Sequence, residues 1–251
     1  MGSHPLYTDV PLAVIHTPRY ETSKTDPFTV EASKMALSHN AFIRGFNSIY
    51  QQAPRLLPGD KSDFVGYCIA WHDCVEAHHR YEEDHFFPNV NKAAGLTGLM
   101  DSAVHEHASF HDGMERFKSY LRTEGVGFSA TELLAIMDSF KEPLHSHLRA
   151  EPPLIAALAK YSTHDNPIDI LEIANAAARK QITMSLVLNV LPVFYLNMNE
   201  AEFEGGMWQG VFPHLNGTGT WIVTKAVPMW HSRRWRFASC SSEGRLKQLA
   251  V

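Results

Sequence analysis

His78-His79-Arg80-Tyr81-Glu82-Glu83-Asp84-His85-Phe86-Phe87-Pro88 is the stretch that decides how the rest of the chain is read. Two histidines stand four residues ahead of two glutamates, so on a helix each His and its Glu share a face, one turn apart. The apolar positions around it, Phe64, Cys68, Trp71 and Val75 upstream and Phe86 downstream, mark one buried stripe that starts near Asp63 and is predicted to stop at Pro88. His78 and Glu82 continue that stripe. His79 and Glu83 lie about 100° round the helix; His79 remains an additional or alternative inward residue, while Glu83 is expected to orient a neighbour or face water.

The same substitution of a polar residue into an apolar stripe recurs on three other predicted helices. From Ser33, the residues Met35, Phe42, Phe46 and Ile49 recur at helical spacing, His39 falls on their face, and Ala53-Pro54 ends the run. After the connection NKAAGLTG, Met100, Met114 and Leu121 form a heptad line whose missing position is His107. His111 sits one turn further along, beside that line. Beyond the turn EGVGFSAT, Leu133, Met137, Phe140, Leu144, Leu154 and Leu158 form a fourth stripe, and its gaps are filled by His147 and Glu151. Four helices with short links favour an antiparallel up-down-up-down bundle. The predicted fold is all-α: an N-terminal arm over residues 1–30, a bundle over 31–162, and an extension over 163–251 packed on it. In the extension, 169–200 reads as one further long helix, followed by an irregular tail with Trp208, Trp221, Trp230 and Trp235.

Burying His39, His78, Glu82, His107, His147 and Glu151 without partners costs several kcal/mol for each group, whereas a cation supplies both charge and coordination. The pattern therefore points to a metal centre whose ligands are those six, with His79 and His111 ranked behind them. Nitrogen and oxygen donors without thiolate suit iron, manganese or zinc rather than a sulfur-loving ion, and iron is the first choice. His72, His85, His105 and His145 fall off the inward lines. Glu202, Glu204 and His214, in EFEGGMWQGVFPHL, are assigned a covering role only.

The order H, HxxxE, H, HxxxE over four helices resembles the hemerythrin-like, or HHE cation-binding, family. HHRYEEDHFFP, HEHASFHDG and HLRAEPP look like its second, third and fourth helix segments, and the whole chain looks like a fungal branch of it. The resemblance covers about half the chain and implies a non-haem centre of two iron ions that meets dioxygen. One departure matters: oxygen-carrying hemerythrin has its fourth-helix His and acidic residue five apart, where this chain has His147 and Glu151 four apart, which argues against reversible oxygen carriage. The expected function is an O2-activating oxidoreductase acting on a small organic substrate. The alternative is a protein that binds, stores or senses iron or oxygen.

Composition narrows the remaining classes. The chain has 251 residues, 45% hydrophobic and 20% charged, with a net charge of -5. That is enough to bury a core, and the absence of a dense basic run argues against nucleic acid or anionic lipid as partners. No run is long and apolar enough for a membrane span, and no leader pattern opens the chain, so a cytoplasmic protein is expected. Cys68, Cys74 and Cys240 are too few for a disulfide framework and read as core residues.

Overall fold

The computed structural model describes residues 4–212, 221 and 225–251. A short helix α1 (Pro18–Thr22) precedes α2 (Pro27–Gln52), which begins six residues before the expected start. The reason is local: the Asp26 carboxylate accepts hydrogen bonds from the Phe28 and Thr29 amides, and Pro27 occupies the first turn, where a missing N–H costs nothing. α3 (Lys61–Tyr81) does not stop at Pro88. It widens into a π-helical turn, Glu82–Phe86, and resumes as α4 (Phe87–Ala94), which ends on the left-handed Gly95 at φ 67°. Pro88 cannot donate to the carbonyl four residues back, and the wider turn absorbs that loss without ending the helix. α5 (Asp101–Glu124) and α6 (Ala130–Ala157) complete the bundle; Ser129 caps α6 by accepting from the Glu132 amide.

The helix directions follow from which residues reach which end. Two apolar clusters fill the bundle, one containing Phe46, Phe64, Phe117 and Phe140, the other Met35, Phe86, Ala103 and Ile155. α2 runs from the second cluster into the first, α3 from the first to the second, α5 back, and α6 forward again, which is the up-down-up-down order. Between the clusters lies the level of His39, His78, His107 and His147. α2 is buried on nearly every side, and Gly45 permits it: a Cβ there would lie 2.4 Å from Trp71 Cδ1. The indole donates to the Phe42 carbonyl at 3.0 Å.

The expected helix over 169–200 is broken into three: α7 (Ile170–Gln181), α8 (Met184–Asn189) and α9 (Leu191–Tyr195). Ile182 is extended, Thr183 caps α8 through the Leu186 amide, and Pro192 starts α9, so local capping chemistry outweighs the continuous apolar pattern. The tail, with a last turn α10 (Ser232–Trp235), closes on the bundle: the Phe237 carbonyl accepts from Gln52 Nε2 and Ser48 Oγ, and its ring meets Phe64 edge-on. Trp208 and Trp235 are buried, whereas Trp221 and Trp230 are exposed.

The N-terminal arm is ordered by side chains that mimic a strand partner. Asn40 and Asn47 on α2 each accept from and donate to one arm backbone unit, Ile15 and Leu12 respectively, at 2.7–2.9 Å. Glu204 holds the same arm from the extension, accepting from the Thr17 amide and hydroxyl and from Trp208 Nε1, each at 2.7 Å. Glu202 pairs with Arg245. Both carboxylates are thus engaged structurally, and His214 lies outside the described residues. Among the described residues no helix is long and apolar enough to cross a membrane.

Candidate metal centre

Two groups of ligand atoms form at the mid-level of the bundle, within each of which all atoms lie within 4.8 Å of one another. One comprises His39, His78, Glu82 and Glu151; the other His79, Glu82, His107 and His147. Glu82 belongs to both. Its Oε1 is 2.8 Å from His78 Nε2 and its Oε2 is 3.5 Å from His107 Nε2, so one carboxylate spans the two halves. Glu151 Oε2 lies 3.3 Å from His39 Nε2 and 3.7 Å from His147 Nε2. Residues 78, 79 and 82 all face inward because adjacent helical positions diverge by about 100°. Each histidine of the doublet therefore meets a different half.

The histidines are aimed from behind. His39 Nδ1–H donates to the Leu148 carbonyl at 2.7 Å, His107 Nδ1–H to Glu83 at 2.6 Å, and His147 Nδ1–H to Glu106 at 3.1 Å. A neutral imidazole with its proton so placed presents a bare lone pair at Nε2. The bare Nε2 atoms of His107 and His147 are 3.1 Å apart, and His78 Nε2 lies 3.1 Å from His39 Nε2. The Leu148 carbonyl is free for His39 because Pro152, four residues on, has no N–H with which to close the helix bond.

Electrostatics describe the same place. Burial, then the neighbouring His39, pushes the His78 pKa well down; burial, then His107, does so for His79. Burial, reinforced by His107 and His39, lowers His147 to about 2. Glu82 is raised by burial and by the adjacent Glu151, while Glu151, also opposed by burial, is brought down by its contact with His39. Glu82 and Glu151 are 0% and 1% exposed, and no oxygen of either meets a donor in hydrogen-bonding geometry despite the close nitrogens; His79 Nε2 is likewise unpartnered. Buried imidazole nitrogens and carboxylates converging in low dielectric form a donor set that suits a cation.

Each half has its own opening. The half containing His78 is reached from a cavity of about 400 Å³ between α2, α3 and the extension, walled by Phe42, Tyr81, Leu186, Phe194 and Phe212 among others. The half containing His79 and His107 is reached from a cavity of about 470 Å³ between α3 and α5, bordered by His72, Glu76, Glu83, His111 and Glu115. His111 stands 68% exposed at that outer border, apart from both ligand groups. His72 is buried against Glu115, while His145 pins the arm by donating to the Ala13 carbonyl. Glu106 and Pro152 were not singled out from sequence. Their signals are present only in hindsight of geometry: Glu106 precedes a stripe histidine, and Pro152 follows Glu151 directly.

Residues 31–159 match the family described as Hemerythrin HHE cation binding domain. A relative from Cryptosporiopsis sp. (strain 8999), "Dimeric xanthone biosynthesis cluster protein R11", is 29% identical over 243 residues, covering 95% of this chain and 90% of its own length. No solved structure matches. With the family matched over half its length and the bundle order and buried His/Glu clusters in place, the chain belongs to the hemerythrin HHE cation-binding family.

Proposed function

We propose that the bundle holds two iron ions and that the protein is an O2-activating oxidoreductase acting on a small organic substrate. In this reading His39, His78 and Glu151 would hold one ion and His79, His107 and His147 the other, with Glu82, common to both groups, available to each. Two iron ions so held would supply the electron-transfer steps by which dioxygen becomes a useful oxidant. The chain's own residues do the rest. Glu83, Glu106 and the Leu148 carbonyl fix the ring orientation and tautomer of three histidines. Phe42, Tyr81 and the extension wall the His78 side with mainly apolar surface, which would favour an organic neighbour over ordered water there.

The observation that carries the oxidoreductase reading is the mainly apolar cavity under the extension that ends at His78. Its volume lies within the range of ligand pockets, about 300–1,000 Å³, and a bare cation-binding bundle has no use for it. The relative from Cryptosporiopsis, whose name places it in a biosynthesis cluster, spans both bundle and extension, which supports a biosynthetic substrate for the shared architecture. The second cavity, bordered by histidines and carboxylates, is the feature that favours the other reading, iron or oxygen binding without turnover.

The deciding experiment is elemental analysis of protein purified under low oxygen, with an optical spectrum before and after air is admitted. Two irons per chain and a new near-ultraviolet charge-transfer band that decays faster when substrate is present support turnover. A band whose decay no organic molecule alters supports binding alone, and zinc alone, or no metal, overturns both.

A further inference from the structure

Away from the metal level the apolar cavity has one ion pair among its polar lining, which also includes Ser38, Asn175 and Gln181. Glu31 and Lys34, on the first turns of α2, line it, with Lys34 Nζ 3.2 Å from Glu31 Oε2. Glu31 is 6% exposed. A carboxylate so buried and paired with a single ammonium retains acceptor capacity, because an ionised carboxylate offers about four lone-pair sites. Lys34 likewise keeps donors to spare, since its ammonium carries three. The pair is electrically balanced, so it favours a neutral group that both donates and accepts over a free anion or cation. A hydroxyl is the simplest such group.

The walls define the rest of the occupant. Phe42, Tyr81, Phe194 and Tyr195 offer aromatic surface, against which flat rings stack or meet edge-on. Ala77 on α3 and Ala174 and Ala178 on α7 line the cavity with side chains no larger than a methyl group, leaving room for a plate between the helices. Along α2, Glu31 and Lys34 lie eight and five residues before His39, a separation of about 8–12 Å at helical rise. That is the length of roughly two to three fused rings at the cavity's volume.

We propose that this cavity is a binding site for a flat phenolic aromatic, its hydroxyl held between the Glu31 carboxylate and the Lys34 ammonium and its far edge presented at His78. This deepens the oxidoreductase reading and rests on it for the fate of that far edge. The binding itself depends only on the cavity. Glu31 and Lys34 are positioning residues: they set which ligand enters and how it lies.

The test uses the protein as purified, with its metal content measured on the same sample, and 2-naphthol and 2-methoxynaphthalene as probes in equilibrium dialysis. The two differ in that a methyl group replaces the phenolic proton, which removes the donor and keeps the ring and ether-type oxygen. The expected result is one 2-naphthol site per chain with about tenfold preference over the methyl ether, the size of effect a single buried donor contributes. Glu31→Gln is expected to reduce that preference to less than threefold by weakening 2-naphthol alone. Ala178→Trp, at an exposed position on the cavity lip, is expected to abolish binding of both probes while leaving metal content unchanged. Equal affinity for the two probes in the unmodified protein would overturn the proposal, and so would binding unaffected by Ala178→Trp. Because the iron content and the air-induced band are read separately, their loss condemns the oxidoreductase reading and probe failure condemns only this assignment.

Discussion

The two halves of the candidate metal centre share Glu82 but are built and approached differently. The half at His39 and His78 takes its orientation from a main-chain carbonyl, that of Leu148, and opens on an apolar cavity roofed by the extension. The half at His79, His107 and His147 takes its orientation from two carboxylates, Glu83 and Glu106, each about 40% exposed, and opens on a cavity edged with charged and titratable groups. A carboxylate behind an imidazole raises its basicity more than a carbonyl does. The apolar half adds the Glu151 carboxylate and has space for an organic neighbour, whereas the polar half has three imidazoles, two of them backed by carboxylates. The two groups thus differ in their donors and in what stands behind and in front of them.

The largest effect is expected where the halves meet. Glu82→Ala removes the one carboxylate common to both groups, and elemental analysis should then find neither site filled. If one equivalent of metal remains at wild-type affinity, Glu82 serves a single half and the shared role is wrong. The bundle itself should survive, because the apolar clusters on either side do not include Glu82.

Acid is expected to act next, and on both halves. His78, His79 and His147 have folded pKa values below their unfolded value of about 6.5. Between those two values the unfolded chain binds more protons, so stability of the metal-free protein falls as pH falls from about 6.5, by about 1.4 kcal/mol per pH unit for each such histidine. Glu82, held up by burial, works in the opposite sense. Urea midpoints compared at pH 7.5 and 5.5 check this; equal midpoints would mean that the histidines are already protonated or solvated in the folded state.

How much of this was legible beforehand depends on the range over which each cause acts. The apolar stripes interrupted by His39, His78, His107 and His147 are local periodicities, and they placed the bundle and its order correctly. The π turn at Glu82–Phe86 was not legible, because a proline reads as a stop unless the cost of one lost bond is weighed against the packing of Phe86, Phe87 and Val90 beyond it. The same holds for 169–200, where a continuous apolar pattern hid the caps at Thr183 and Pro192. Glu106 and the Leu148 carbonyl act across helices, over sequence separations of 41 and 109 residues. No spacing rule along one helix finds them.

Those cross-helix groups give the two graded tests of the asymmetry. Glu83→Gln keeps the size of the side chain but weakens the acceptor behind His107, and outer-shell changes of this kind cost about 10–100-fold in metal affinity. Competition against a chelator should show one equivalent of metal weakened and the other unchanged. Both weakened equally would mean the halves are not independently tuned. Pro152→Ala is expected to act on the other half and by less, about tenfold, since it restores an N–H that competes with His39 for the Leu148 carbonyl. The two variants should therefore weaken different equivalents.

The smallest effect is expected at His111, which the sequence offered as a further ligand one turn from His107. The heptad line of α5 passes through His107 and leaves His111 to one side, so His111 ranks behind it. α5 is inward at His107, Phe110 and Met114, leaving His111 68% exposed at the outer edge of the polar cavity with Asp112 Oδ1 3.5 Å from its Nδ1. A ring so solvated has water for a partner and no desolvation to offset. His111→Ala should leave two equivalents of metal bound with unchanged affinity and shift stability by no more than about 0.5 kcal/mol. Loss of one equivalent would require α5 to rotate inward on metal binding, and would move the polar half one helical turn outward toward its own mouth.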